Sequence, residues 1–249
     1  MNLELTGKVA LITGSSRGIG RGIAQVLHDE GCQVILNGRD PDALSSSAQP
    51  LGGYYVMGDV CIPEQAREVV DVARKFRGKI DIVVANVGSG ASVPPGTESS
   101  EEWSRMLNIN LESAVNTISA AREALAESKG AALCVSSICG LSTLGAPIAY
   151  SAAKAALNSY VRGISAVLAQ DGVRIVGLAP GNVLFPGSTW ERKFKADEGS
   201  VQRMLDANVP MRRLGRVQEI ADVAAFLCSP RASFMTGTMV TVDGGQIRI

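Results

Sequence analysis

Short aliphatic and β-branched runs alternate with amphipathic stretches from one end of the chain to the other, and this rhythm leaves few folds open. The runs at 9–13, 33–37, 54–57, 82–85, 133–136, 173–178 and 238–242 read as strands, the first of them (Val-Ala-Leu-Ile-Thr) as a buried one. Helical patterns fill the gaps at 18–30, 63–76, 101–127, 147–170 and 217–228, the 101–127 stretch being one long helix or two abutting ones. Gly31 stops the first helix, and Pro63 lies in the first turn of the next. Strands that are always separated by helices are joined by crossovers. The expected fold class is therefore α/β, a doubly wound parallel sheet of about seven strands with helices on both faces, three layers in all.

No repeat, low-complexity segment or long linker divides the 249 residues, so 1–249 is expected to form a single domain. Two stretches break the rhythm. Residues 41–53 are polar, carry Ser45, Ser46 and Ser47, and leave little room for a full crossover helix. Residues 183–213 hold Phe185, Trp190 and Phe194 among charges and no clear strand. An aromatic-bearing insertion at the carboxyl end of a strand is well placed to be a substrate lid; the other reading is a surface excursion or subunit contact.

Lys and Arg total 24 against 24 Asp and Glu, which gives no electrostatic case for a nucleic acid or an anionic membrane surface. No apolar run approaches the ~20 residues that span a bilayer, and the N-terminus shows no targeting pattern. The five cysteines are odd in number and scattered without metal-ligand spacing, so no metal and a reduced, cytoplasmic setting are expected.

Thr13-Gly14-Ser15-Ser16-Arg17-Gly18-Ile19-Gly20 falls between the first strand and the first helix. Glycines there permit a tight turn and let backbone amides approach a pyrophosphate, and the helix N-terminus adds partial positive charge. An acidic residue ending the second strand would bind the adenosine ribose of NAD, but here the chain reads Asn37-Gly38-Arg39, with no carboxylate before Asp40. Arg17 and Arg39 could together grip a 2′-phosphate, so NADP(H) is favoured over NAD(H). The alternative is that both arginines are solvated and NAD binds.

Tyr150-Ser-Ala-Ala-Lys154 puts a phenol and an ammonium one helical turn apart on one face. A nearby ammonium favours the phenolate and is expected to lower the tyrosine pKa, making it able to exchange a proton with an alcohol or carbonyl oxygen. His28, the only histidine, falls at the end of the first helix, so no histidine-based catalysis is expected. Cys139 reads as packing near the site rather than as a nucleophile.

Taken in order, the Thr13–Gly20 turn, Asp59-Val60, Asn86-Val87-Gly88, the set of Ser137, Tyr150 and Lys154 with Asn110 upstream, and Pro180-Gly181 resemble the signatures of the short-chain dehydrogenase/reductase family. The resemblance covers essentially the whole chain and implies a Rossmann-type sheet. It implies that Asp59 and Val60 line an adenine pocket, that Asn86 and Gly88 stand beside the cofactor, and that Pro180, Gly181 and Val183 lie against the nicotinamide. It further implies that Ser137 holds the substrate oxygen, that Lys154 binds the nicotinamide ribose as well as tuning the phenol, and that Asn110 holds a water linking the lysine to solvent. Ala85, Val87 and Phe185 depart from the pattern, the last replacing a threonine that often bonds the cofactor carboxamide.

The leading expectation is a ketone or 3-oxoacyl-thioester reductase, working on CH-OH and C=O groups as a homotetramer (or dimer) built on the helices from Glu101 and Pro147. A sugar, polyol or secondary-alcohol dehydrogenase is the alternative. A catalytically silent cofactor-binding regulator would need no Ser/Tyr/Lys set.

Overall fold

The computed structural model describes residues 2–247. Its elements run β1 (Val9–Ile12), α1 (Gly18–Asp29), β2 (Gln33–Gly38), α2 (Pro41–Ala48), β3 (Tyr55–Met57), α3 (Pro63–Arg77), β4 (Ile82–Ala85), α4 (Ser100–Leu107), α5 (Ser113–Ser128), β5 (Ala131–Val135) and α6 (Ile148–Gln170). They continue with β6 (Arg174–Pro180), β7 (Val183–Leu184), α7 (Thr189–Ala196), α8 (Glu198–Asn208), β8 (Gly215–Arg216), α9 (Val217–Cys228) and β9 (Met239–Val242).

Seven strands form one parallel sheet in the order β3-β2-β1-β4-β5-β6-β9. The side-chain period of two explains why the strands read as unbroken apolar runs. In β1, Ala10 and Ile12 join the core beneath α1 and α9, while Val9 and Leu11 join the core beneath α3, α5 and α6. Ile82 and Val84 face the first core and Val83 and Ala85 the second; Leu133 and Val135 are opposed to Ala132 and Cys134 in the same way. The chain winds outward from β1 to β3, then returns to β4 on the other side of β1. That reversal opens a crevice at the carboxyl ends of β1 and β4, where α/β sheets bind ligands.

Residues 41–53 do hold a helix, contrary to the sequence expectation. Pro41 opens α2 and the Asp40 carboxylate accepts from the N–H groups of Asp42 and Ala43, both at 3.1 Å. This cap makes two turns possible, and only Leu44 and Ala48 are buried. Residues 183–213 hold a two-residue strand as well, β7 pairing with β8, before α7 and α8. Val201, Leu205 and Val209 give these helices a small core of their own, with Trp190 and Phe194 against it. Among the described residues, no helix is long and apolar enough to cross a membrane.

The expected helix over 101–127 is continuous but carries a π-type turn at Asn108–Glu112 between α4 and α5. Such bulges insert one residue into a helix and are common at functional sites. Here Asn110 lies at the centre of the bulge and is fully buried.

Candidate active site

The glycine-rich turn leaves β1 at Thr13, and Gly14 and Gly18 both take φ of 60°, a left-handed conformation that glycine adopts without strain. Arg17, the residue before α1, supplies no side-chain acceptor to the helix, and no acidic residue stands in its first turn. The amide end of α1 thus faces the crevice with its partial positive charge uncompensated from within the helix. A Cβ on Gly18 would stand 2.7 Å from the Phe185 ring, so no larger residue fits the cradle. These features fit the phosphates of a dinucleotide.

The side chains of Ser15 and Asn37 turn away from the crevice into the protein. Ser15 Oγ donates to the Ile12 carbonyl at 2.7 Å and accepts from the Asn37 N–H at 3.0 Å, while Asn37 Nδ2 donates to the carbonyls of Val56 and Gly58, both at 3.1 Å. They fasten the ends of β1, β2 and β3 together. The Ser16 carbonyl accepts from Ser47 Oγ, tying α2 to the turn. Asn86 Nδ2 donates to the carbonyls of Thr13 and Gly14, both at 3.0 Å, which fixes the end of β4 against the same turn.

Past β3 the carboxylate of Asp59 pairs with Arg39, which follows β2, at 3.2 Å and accepts from the Cys61 N–H at 3.0 Å. Burial would raise its pKa, but these bonds outweigh burial and hold it below the usual carboxylate range. Val60 is buried, and its carbonyl accepts from Asn116. The two arginines are not brought together: Arg39 is held at Asp59, and Arg17 reaches towards Gly187 at the lid. Asp40 caps α2, its Oδ1 accepting from the Asp42 and Ala43 N–H groups.

Ser137, Tyr150 and Lys154 meet beyond the ends of β4 and β5. Ser137 follows β5 and starts a short 3-10 turn, its Oγ accepting from the Cys139 N–H at 3.1 Å. Tyr150 and Lys154 lie in the first two turns of α6, as their spacing requires. Lys154 is buried, and its Nζ donates to the Val135 carbonyl at 2.9 Å. Asn110 Oδ1 accepts from the Ser89 N–H at 2.9 Å and its Nδ2 donates to the Ser89 carbonyl at 3.0 Å, pinning the strand-end loop to the π-type turn. Asn110 and Lys154 converge over Gly88, where a Cβ would stand 3.0 Å from Asn110 Oδ1 and 3.1 Å from Lys154 Nζ.

The expected lowering of the tyrosine pKa is not what the structure shows. Burial pushes the Tyr150 phenol up to about 12, with the Ser137 hydroxyl pulling weakly the other way. Burial also brings the Lys154 ammonium down to about 8. Desolvation governs both shifts, and the Lys154 ammonium is turned to the Val135 carbonyl rather than to the phenol.

A second set of residues holds this arrangement, and the sequence reading missed it. Ser136 Oγ bonds Asn158 Oδ1, and Asn158 Nδ2 donates to the Gly140 carbonyl at 3.0 Å. Gly140 lets the loop bearing Ser137 lie on the backbone of α6: a Cβ there would come within 2.6 Å of the Lys154 carbonyl carbon. The available signal was Asn158 itself, one turn beyond Lys154 on the same face.

Tyr150 stands between two adjoining cavities. One of about 350 Å³ runs from the glycine turn past Asn86 and Gly88 to Lys154, with Arg17 and Arg192 at its edge. The other, of about 600 Å³, opens between Ser137, Tyr150 and the lid. Phe185 and Ile19 border both. Pro180 ends β6, and the Gly181 N–H donates to the Val242 carbonyl at 3.0 Å; Gly181 and Val183 line the larger cavity. Cys139 lines it too, its thiol pushed up by burial and so kept protonated. His28 lies in the last turn of α1, away from both.

Residues 14–246 match the family described as Enoyl-(Acyl carrier protein) reductase. The chain is 32% identical over 252 residues to the 3-oxoacyl-[acyl-carrier-protein] reductase FabG of Escherichia coli (strain K12), covering 100% of each. Its structure is similar to that of L-sorbose reductase from Gluconobacter frateurii complexed with NADPH and L-sorbose, with a TM-score of 0.93 and 30% identity over 100% of both chains. It is also similar to a 7α-hydroxysteroid dehydrogenase complexed with NADH and 7-oxo glycochenodeoxycholic acid, with a TM-score of 0.89 and 29% identity over 100% of this chain and 97% of the other.

Proposed function

Because this chain belongs to the short-chain dehydrogenase/reductase family, we propose that it is an NADPH-dependent reductase of a ketone or 3-oxoacyl thioester. The observation that carries this reading is the position of Tyr150 and Lys154, which line the groove running to the glycine turn, Tyr150 also bordering, beside Ser137, the larger cavity beneath the lid.

The cofactor, when bound, supplies the hydride. Backbone amides at Gly18, Ile19 and Gly20 would hold its phosphates, with Ser15, Ser16 and Gly14 shaping the turn. Asp59 and Val60 flank the adenine side, Asn86 and Gly88 the middle, and Pro180, Gly181 and Val183 the nicotinamide side. Arg39 would turn from Asp59 to a 2′-phosphate and Arg17 swing back from the lid to join it, and Asn37 sets the end of β2 from which Arg39 projects. Ser137 orients the carbonyl oxygen. Tyr150 donates its proton to that oxygen as negative charge develops there, so the two hydroxyls form a preorganised donor pair. Lys154 returns positive charge beside the phenol, and Asn110 holds the loop and a water through which the lysine exchanges protons with solvent.

A phenol held near 12 is protonated at neutral pH, which suits an acid in the reductive direction. A sugar or polyol dehydrogenase is a second reading, favoured by the amides of Asn182, Asn208 and Gln246 in the larger cavity. The same reading takes 1–249 as one working domain with a lid at 183–213, assembled as a homotetramer or dimer in the cytoplasm.

The test is a carbonyl panel with NADPH and with NADH. Wild type is expected to oxidise NADPH in preference to NADH, and Tyr150→Phe to lose about 10²–10⁴-fold in kcat while still binding NADPH. Arg17→Ala and Arg39→Ala should each weaken NADPH more than NADH. Unimpaired reduction by Tyr150→Phe would remove the proton donor from the scheme, and tighter binding of NADH would remove the arginine argument.

A further inference from the structure

The larger cavity has an asymmetry of charge. Its walls are apolar or neutral, with Ile138, Leu144, Phe185, Trp190 and Met204 supplying the apolar area, and among the described residues no carboxylate side chain lines it. One ionic side chain borders it, Lys193. This lysine is on α7, and its ammonium stands 4.7 Å from the centre of the Trp190 ring, three residues earlier on the same face.

Its neighbours on α7 are engaged differently. Lys195 pairs with Glu191 at 2.8 Å, and Arg192 donates to the Gly187 carbonyl and the Thr189 hydroxyl. Among the described residues, Lys193 has no carboxylate partner. Its positive charge is felt at Cys139, which lies two residues from Ser137 and lines the same cavity. Lys193 is exposed, so its ammonium stands at the rim of the cavity, beside Trp190.

We propose that Lys193 is a specificity residue that reads an anionic group, carboxylate or phosphate, on a substrate whose apolar body fills this cavity. A neutral substrate gains nothing from this rim ammonium, whereas an anionic one forms a charge-assisted contact beside the apolar face of Trp190. Among the described residues no lining carboxylate competes for the lysine. This inference rests on the reductase reading of the adjoining Ser137, Tyr150 and Lys154, but it concerns recognition and is tested without turnover.

Calorimetric titration of the whole protein uses two matched, unreactive pairs: decanoate against decanamide, and octyl phosphate against octanol. Wild type is expected to bind the anion of at least one pair about three- to tenfold more tightly than its neutral match, the range of a partly exposed ionic contact. The pair that shows the larger ratio identifies the source, carboxylate or phosphate. Lys193→Gln should bring that ratio to one while leaving the neutral ligand's affinity unchanged, Lys193→Glu should invert it, and Lys195→Gln should leave it as in wild type. Equal binding of anion and neutral ligand by wild type, survival of the ratio in Lys193→Gln, or failure of all four ligands to bind would each overturn the proposal. NADPH oxidation with the carbonyl panel reports separately on the reductase reading, so loss of one does not entail loss of the other.

Discussion

Replacing Lys154 by Met should make the protein more stable while removing its activity. The ammonium is buried, 3% exposed, and has one hydrogen bond, to the Val135 carbonyl at 2.9 Å. Burial lowers its pKa from 10.5 to about 8, and at about 1.36 kcal/mol per unit this corresponds to a cost of roughly 3 kcal/mol for keeping it charged at pH 7. Met fills a similar volume without the charge. Loss of the bond to Val135 leaves a buried carbonyl short of a partner and takes back about 1–2 kcal/mol. The net expectation at pH 7 is a gain of about 1–2 kcal/mol.

The pH dependence separates this cause from better packing. Between pH 8 and 10.5 the unfolded chain holds a proton at this position that the folded chain has given up, so wild-type stability rises with pH across that window. From pH 7 to pH 9 the advantage of Lys154→Met should shrink by about 1 kcal/mol. Urea unfolding of both proteins at pH 7, 8 and 9 measures the difference, in which the titration of all other groups cancels. A variant less stable than wild type at pH 7, or an advantage that does not change with pH, would refute the reasoning.

Asp81 presents the opposite case. Burial would raise its pKa, but bonds from the Val9 N–H at 2.9 Å, Lys79 at 2.9 Å and Lys8 at 3.1 Å lower it instead. Asp81→Asn should cost about 2–4 kcal/mol at pH 7. That stability is present above the ordinary carboxylate pKa and is lost as the pH falls through the depressed folded value, so the gap between variant and wild type should close in urea titrations taken down to pH 3. In the glycine turn, Gly20→Ala places a methyl against the Asn86 amide and 2.7 Å from the Gly14 carbonyl oxygen, where backbone must move. Nicotinamide-cofactor affinity by fluorescence titration should fall about tenfold or more, with a loss of stability of about 1–3 kcal/mol. Burial raises the thiols of Cys134 and Cys228 to about 12, so alkylation at pH 8 followed by peptide mass spectrometry should modify the partly exposed Cys139 before either.

The sheet was legible because its strands are buried on both faces, which leaves their apolar runs uninterrupted. The glycine turn and the Tyr150 and Lys154 pair were legible because their spacing carries their geometry. The short elements were harder to read. Helix α2 has only Leu44 and Ala48 to bury and owes its existence to a cap; Asp40 and Pro41 were the readable signal. Strands β7 and β8 are two residues each, below the length at which periodicity says anything. The Ser136, Asn158 and Gly140 network contains no charged group, so nothing in composition marks it, although it fixes the loop that carries Ser137. The π-type turn at Asn108–Glu112 lies inside an otherwise regular helical pattern, and its cause is tertiary: Asn110 is held by the Ser89 backbone from the neighbouring loop.

Spacing placed the phenol and the ammonium on one face but could not say whether charge or burial governs them. In water a tyrosine gives up its proton slightly before a lysine does. In this site the order is reversed, with Lys154 near 8 and Tyr150 near 12. As the pH rises, the ammonium is therefore lost before the phenol ionises, and the support that would stabilise a phenolate goes with it. Burial thus raises the phenol and lowers the ammonium, and its cause lies in the packing of α6 against β5 and the Ser137 loop.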